Sequence, residues 1–317
     1  MANFRTTVIG GGSVGLCVAA SFAQAGADVW LMVREAQVEP LSQQPISVTG
    51  MLGECTIEPG HITIEDAARP SDASRDCDVL VVTTKAFDIA TALQPFAGTP
   101  GPRSVLLMQN GLGSAEIARD VLGDSTPIIS SAMLIGMQRG GVGRVSVNAH
   151  SSSVWVGSLL GDELAAVQSM LEVGKRGFLP MVHDPEIQKT IYSKVLFNTC
   201  MNPTGALIGR NYGELLENEY SRALITNLAD ETLRVYAASA DLHLAENGRH
   251  YVDDILSPII FPRSAPHRSS MVQDIENGRL TEIDFLNGAI VKMGREVGIE
   301  TPCHQSIVLM IHASEKI

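Results

Sequence analysis

The chain has 317 residues, of which 45% are hydrophobic and 18% charged, and its formal net charge is −12 at pH 7. That length is generous for one core and comfortable for two domains, and the composition excludes a disordered chain. The acidic balance excludes a general nucleic-acid or anionic-membrane surface, and no uninterrupted apolar run approaches the ~20 residues that span a bilayer.

The chain opens with a short apolar run, Val8-Ile9, that meets Gly10-Gly11-Gly12-Ser13-Val14-Gly15. Leu16, Val18, Ala19, Phe22 and Ala23 follow at helical spacing, then a β-rich run, 29–33, closed by Arg34. This order predicts strand, glycine turn, helix and strand, with Gly10-x-Gly12-x-x-Gly15 at the end of the first strand. In such a turn one glycine makes the bend, one leaves bare backbone for a pyrophosphate, and one lets helix and strand pack closely. The N–H groups and positive dipole end of the new helix hold the phosphates. Gly10, Gly11, Gly12, Ser13, Val14 and Gly15 are therefore candidate cofactor ligands. The second strand ends in Arg34, not in an acidic residue, and an arginine there suits a ribose 2′-phosphate, so the cofactor expected is NADP. Residues 11–15 also spell G-x-S-x-G, the nucleophile elbow of α/β-hydrolases. The motif lies on the first strand and no HGGG-type oxyanion loop follows, which sets that reading aside.

Residues 46–51 and 55–64 read as short strands with Gly53 and Gly60 as turn signals. The β-branched run 78–84 fits a parallel strand buried on both faces, and Lys85 stands just past its end. Residues 104–108 repeat the pattern and end in Gln109-Asn110-Gly111, and a helix at 114–122 precedes a strand at 127–130. Ligands of open α/β sheets collect outside the carboxyl ends of the strands, so the glycine turn, Arg34, Lys85 and Asn110 are expected to converge on one edge. Strands at 144–147 and 153–156 are joined by a serine-rich turn, and a helix at 162–172 and a strand at 178–182 follow. Pro185 suits the first turn of a helix and marks a domain boundary, giving domains 1–184 and 185–317.

Beyond that point the pattern is almost all helical. Lys194, Asn198 and Asn202, at i, i+4 and i+8, share one helix face. The stripe lacks the Glu/Lys mixture of a solvated face, which favours the lining of a polar groove. Pro258, Pro262 and Pro266 punctuate an irregular stretch, Ser270 opens a short helix ending at Gly278, and Thr281 is a candidate cap for a helix that begins with Glu282. The five cysteines (17, 55, 77, 200 and 303) are widely spread without a CxxC pair, and the eight histidines form no HExxH. That usage fits reduced thiols in a cytoplasmic protein, and no metal is expected.

Taken together, the glycine turn, Thr83-Thr84-Lys85, Gln109-Asn110-Gly111, Ser193-Lys194 with Asn198 and Asn202-Pro203, and Gly213-Glu214-Leu215 form a recognisable series. It continues through Ser269-Ser270-Met271-x-Gln273-Asp274 and Thr281-Glu282-Ile283-Asp284-Phe285-Leu286-Asn287-Gly288 to Gly298-x-x-Thr301-Pro302. The series resembles the ketopantoate reductase family, NADPH-dependent 2-oxoacid reductases of pantothenate biosynthesis. The resemblance implies an α/β chain, an N-terminal Rossmann-type dinucleotide-binding domain followed by an all-helical C-terminal domain, with the site in the cleft between them. It also implies roles. Lys194 is the general acid; Asn198, Asn202 and Ser270 hold the substrate; Glu282 sits by substrate and nicotinamide; Lys85 and Asn110 contact the cofactor, Asn110 also the substrate. The residue types agree, because hydride transfer to a ketone leaves an alkoxide that a lysine can protonate.

Two departures stand out. The family has an asparagine directly before Gly-Glu-Leu, where this chain has Tyr212, with Asn211 one place earlier, and residues 133–148 match the usual segment only loosely. The function expected is reduction of 2-dehydropantoate (ketopantoate) to D-pantoate. The alternatives are a D-2-hydroxyacid dehydrogenase on another branched or aromatic 2-oxoacid, and a non-catalytic NADP-sensing protein. The partners expected are a small-molecule 2-oxoacid and no nucleic acid or membrane, with a homodimer left open.

Overall fold

The computed structural model describes residues 4–98, 101–150, 153–162, 165–260, 265 and 267–315. By packing, the chain divides into two compact units, Met1–Gln109 with Ser114–Gln188, and Asn110–Gly113 with Lys189–Ile317.

The first unit is a Rossmann-type α/β fold with twelve strands among the described residues. They are β1 (Arg5–Ile9), β2 (Asp28–Val33), β3 (Ile46–Gly50), β4 (Cys55–Ile57), β5 (Thr63–Asp66) and β6 (Val79–Val82), then β7 (Val105–Leu107), β8 (Ile128–Ala132), β9 (Ile135–Arg139), β10 (Arg144–His150), β11 (Val154–Gly157) and β12 (Met181–His183). Eight form one sheet in the order β12-β11-β8-β7-β6-β1-β2-β5, and four form a second, β4-β3-β10-β9. All neighbours in the large sheet are parallel except β11 on β8. The central strands β6 and β7 are apolar runs buried on both faces, and β1 is buried from Thr6 to Ile9, as a parallel sheet covered by helices requires.

The helix Ser13–Gln24 packs against β1 and β2 of the large sheet and against β3, β4, β9 and β10 of the small one. Gly15 to Phe22 are consequently buried without interruption. The sequence reads this helix as a one-sided apolar stripe, but the second sheet covers its other side.

Several expectations are corrected by the structure. Residues 55–64 are two strands in different sheets, because β5 pairs with β2 whereas β4 pairs with β3. The polar stretch after Arg34 is a helix, Glu35–Gln43, with Pro40 inside it and only Leu41 buried. β9 is an additional strand, antiparallel to β10. The expected serine-rich turn between β10 and β11 falls partly on residues 151 and 152, outside the described residues, and β10 and β11 belong to different sheets. The helix expected at 162–172 is Ala165–Gly174, with residues 163 and 164 outside the described set.

The second unit is helical. Its principal helices are Ile187–Ile208, which begins at the end of the first unit, then Tyr212–Glu217, Glu219–Ala240, Ser270–Glu276, Asn287–Glu296 and Pro302–Ser314. Asn211 caps Tyr212–Glu217 with a reciprocal capping box to Glu214, so the asparagine displaced by one place is a helix cap. Tyr251–Ile260 is a π-helix that contains Pro258, where the sequence pointed to irregular chain; Pro262 and Pro266 lie outside the described residues. Residues 281–286 hold a 3₁₀ turn, Ile283–Phe285, before the helix that was expected to start at Glu282. Thr281 is therefore not the expected helix cap: the N-cap of the turn is Glu282, without a side-chain cap bond, and Thr281 Oγ1 only accepts from Ile283 N two residues on, at 3.3 Å. Glu231 accepts from the N–H groups of Cys303 and His304 at 2.9 and 3.1 Å, placing a carboxylate at the N-terminus of Pro302–Ser314. No helix among the described residues is long and apolar enough to cross a membrane.

Candidate active site

The first unit contributes an edge made by strand register. Ile9 lies beside Met32 and Val82, and Val82 beside Leu107, so β1, β2, β6 and β7 end level with one another. The glycine turn, Arg34 and Lys85 follow directly from the first three of these ends. Gly10 adopts φ +123°, and a Cβ there would stand 2.5 Å from Thr83 Oγ1. At Gly15 a Cβ would lie 1.9 Å from the Gly10 carbonyl oxygen, so no side chain fits while helix and turn keep this approach. Gly12 is the opposite case: it is exposed, and a Cβ would meet nothing within 4 Å. It is also the N-cap of Ser13–Gln24 and supplies no capping side chain. The turn thus presents bare backbone and a helix N-terminus to open space, which fits a pyrophosphate. Arg34 has 87% of its side chain exposed and lies 4.0 Å from Asp88 Oδ2, leaving its guanidinium accessible to an anion. Lys85 is half-buried at the N-terminus of a 3₁₀ turn, Ala86–Asp88.

The second unit contributes a side-chain cluster drawn from four separate segments. The first is 110–113, which follows β7 in sequence but packs with the helical unit. Leu112 N donates to Phe285 O at 2.9 Å. Gly111, at φ +94°, comes so close that a Cβ would stand 2.2 Å from that same oxygen. This docking carries Asn110 to the long helix. Lys194 Nζ donates to Asn110 Oδ1 at 2.8 Å, and Asn110 Nδ2 donates to Glu282 Oε2 at 3.4 Å.

Asn202 and Ser270 join Asn110 and Glu282 in lining one pocket, together with Met271, Asp274 and Leu286. Asn198 is buried on the same stripe as Lys194 and Asn202, but it does not line this pocket. Tyr212, buried at the start of its helix, donates its hydroxyl to Asn202 Oδ1 at 2.6 Å. That bond turns the Asn202 amide, leaving its NH2 to face other groups. Phe197 meets the Tyr212 ring edge-on at 5.4 Å.

Burial pushes the Lys194 ammonium down from 10.5 to about 8, against the opposing pull of the Glu282 carboxylate. The fall means that desolvation outweighs the nearby negative charge. At neutral pH the lysine is still mostly protonated and gives up its proton more readily than an exposed one.

Of the residues picked out by sequence, Asn110, Lys194 and Glu282 are joined by hydrogen bonds, and Asn110, Asn202, Ser270 and Glu282 share a pocket. Three features escaped. Asp274 is buried, pairs with Arg279 at 3.2 Å and stands one helical turn from Ser270, a spacing that could have flagged it. Tyr212 was noticed only as a departure. Thr281 is held through its N–H and hydroxyl by Glu315 Oε1, at 2.8 and 2.7 Å, which anchors the segment bearing Glu282 to the end of the chain. No local signal announces that tie.

Most of the chain matches one known protein family. Residues 6–161 match the family described as ketopantoate reductase PanE/ApbA, and residues 186–315 match its C-terminal domain. The chain belongs to the ketopantoate reductase family. A 2-dehydropantoate 2-reductase of Aquifex aeolicus is 26% identical over 311 residues, covering 97% of this chain and 96% of that one. Among solved structures, 2-dehydropantoate 2-reductase from Geobacter metallireducens superposes with a TM-score of 0.85 at 21% identity, covering 98% and 100% of the two chains. A D-mandelate dehydrogenase solved with NADH and anilino(oxo)acetate gives 0.84 at 23% identity, covering 98% of each. At these identities the two structures establish the fold. The family is one of oxidoreductases.

Proposed function

We propose that this member of the family reduces a 2-oxoacid with NADPH, 2-dehydropantoate to D-pantoate being the leading pair. The observation that carries the reading is the Lys194–Asn110–Glu282 chain of hydrogen bonds, beside a pocket lined by Asn202 and Ser270. The cofactor, when bound, supplies a hydride to the substrate's ketone carbon. The residues of this chain do the rest.

The exposed N-terminus at Gly12, with Gly10, Gly11, Ser13, Val14 and Gly15, receives the pyrophosphate, and Lys85 and Asn110 add cofactor contacts. Arg34 recognises the 2′-phosphate, since an exposed guanidinium forks well onto phosphate oxygens. Lys194 Nζ stabilises the negative charge that develops on the ketone oxygen and then delivers its proton to it. Asn110 Oδ1 aims the ammonium, and Glu282 opposes the loss of its proton. The Asn202 NH2, turned by Tyr212, and the Ser270 hydroxyl donate to the substrate carboxylate; Asn198, buried on the same stripe but outside that pocket, is given to the substrate by the family resemblance alone. Uncharged donors suit this task, because a second cation would compete with Lys194 for Glu282.

A second reading, a D-2-hydroxyacid dehydrogenase acting on another branched or aromatic 2-oxoacid, is favoured by one observation. A bulky Tyr212 grips Asn202 where the family has asparagine. NADPH oxidation with 2-dehydropantoate and a panel of branched and aromatic 2-oxoacids separates the two. A kcat/KM for 2-dehydropantoate above all others supports the first reading; a preference for an aromatic acid supports the second, and no turnover with any acid rejects both.

A further inference from the structure

Two residues of the motif series, Pro203 and Asn287, have no task in the site as described so far. Pro203 lies inside the long helix Ile187–Ile208. A proline has no N–H, so the carbonyl four residues earlier, that of Thr199, loses its helical donor. Thr199 is fully buried, which removes water as a substitute. The missing donor comes from another helix: Asn287 Nδ2, also fully buried, lies 3.0 Å from Thr199 O.

The orientation of that amide is fixed from its far side. Asn287 Nδ2 lies 3.0 Å from His304 Nδ1, while His304 Nε2 lies 3.0 Å from Leu228 O. A backbone carbonyl can only accept, so Nε2 carries the proton and Nδ1 is left to accept from Asn287. Burial holds the ring neutral, with its pKa lowered to about 4. The two N–H bonds of Asn287 are therefore both directed, one to His304 and one to Thr199.

We propose that Asn287 is a positioning residue, supplying the hydrogen bond that Pro203 removes and so setting the helical turn that presents Asn198 and Asn202. Thr199 lies between those two asparagines in the sequence, and a buried carbonyl without a donor would force this turn to rotate in search of one. The inference rests on the proposed function only in assigning Asn198 and Asn202 to the substrate; the hydrogen bond itself does not depend on it. It also gives a reason for pairing the two residues: the proline creates the need that the asparagine meets.

The test is a double-mutant cycle of Asn287→Ala and Pro203→Ala, read by thermal denaturation without ligand and by kcat and KM for 2-dehydropantoate with NADPH. Pro203→Ala returns an N–H opposite Thr199 O. With Pro203 in place, Asn287→Ala is expected to raise KM about tenfold and kcat far less, and to lower Tm by several degrees; in the Pro203→Ala background the KM rise shrinks below about twofold and the Tm loss shrinks with it. An equal KM rise in both backgrounds, or none in either, overturns the proposal. If Asn287→Ala alone fails to fold, a folded double variant supports it and an unfolded one overturns it. If the unmodified chain reduces no 2-oxoacid, the proposed function fails while the Tm coupling still decides whether Asn287 acts through the Thr199 carbonyl.

Discussion

The two units build their candidate binding surfaces from different materials. The glycine turn is six consecutive residues whose groups are mostly backbone, placed by a helix start and a parallel register. The helical unit gathers Asn110, Lys194, Asn202, Ser270 and Glu282 from segments far apart in sequence, and all of these but Ser270 are hydrogen-bonded to another side chain. A backbone surface tolerates change except where a Cβ would collide, as at Gly15. A side-chain surface depends on every partner that aims its members. Substitutions in the first should thus act on cofactor binding, and in the second on turnover and substrate affinity.

The sharpest test of that contrast is Lys194→Ala. It should lower kcat by a factor of about 10²–10⁴ while NADPH binding, measured by fluorescence titration, stays near that of the parent. Near-normal turnover would remove the proton donor from the account. Arg34→Ala should be the mirror image, weakening NADPH by about tenfold to a hundredfold with NADH and kcat little changed; equal losses for both nucleotides would mean that Arg34 does not read the 2′-phosphate. The smallest effect is expected from Tyr212→Phe, which removes one hydroxyl. It frees the Asn202 amide and should raise KM for the 2-oxoacid about threefold to tenfold, leaving the nucleotide Kd alone. A changed nucleotide Kd with an unchanged KM would contradict the role given to Tyr212.

The same contrast explains what was legible in the sequence. β1, the glycine turn and the helix after it are specified by adjacent residues, and the helix at 114–122 falls where its periodicity puts it. Strand partners are not local. The segment 55–64 contains two strands, but only pairing with β2 and β3 divides it between sheets. Glu35–Gln43 buries a single leucine and carries a proline, so it offers no apolar period to detect. In the second unit the stripe of Lys194, Asn198 and Asn202 is readable from spacing alone. The docking of 110–113 on Phe285, the Glu315 clamp on Thr281 and the Tyr212 bond to Asn202 are long-range contacts without a periodic signature. Tyr212 illustrates the limit: its identity marked it as unusual, and only the structure shows which residue it holds.

The measurement that bears most directly on Lys194 as the proton donor is the pH dependence of kcat/KM. Burial lowers the lysine from 10.5 to about 8, and the donor must be protonated to act. The rate should therefore be level below that value and fall about tenfold per pH unit above it. Glu282 opposes the depression, so Glu282→Gln should move the break to lower pH. A profile that stays level to about pH 10, or rises through that range, would contradict the assignment.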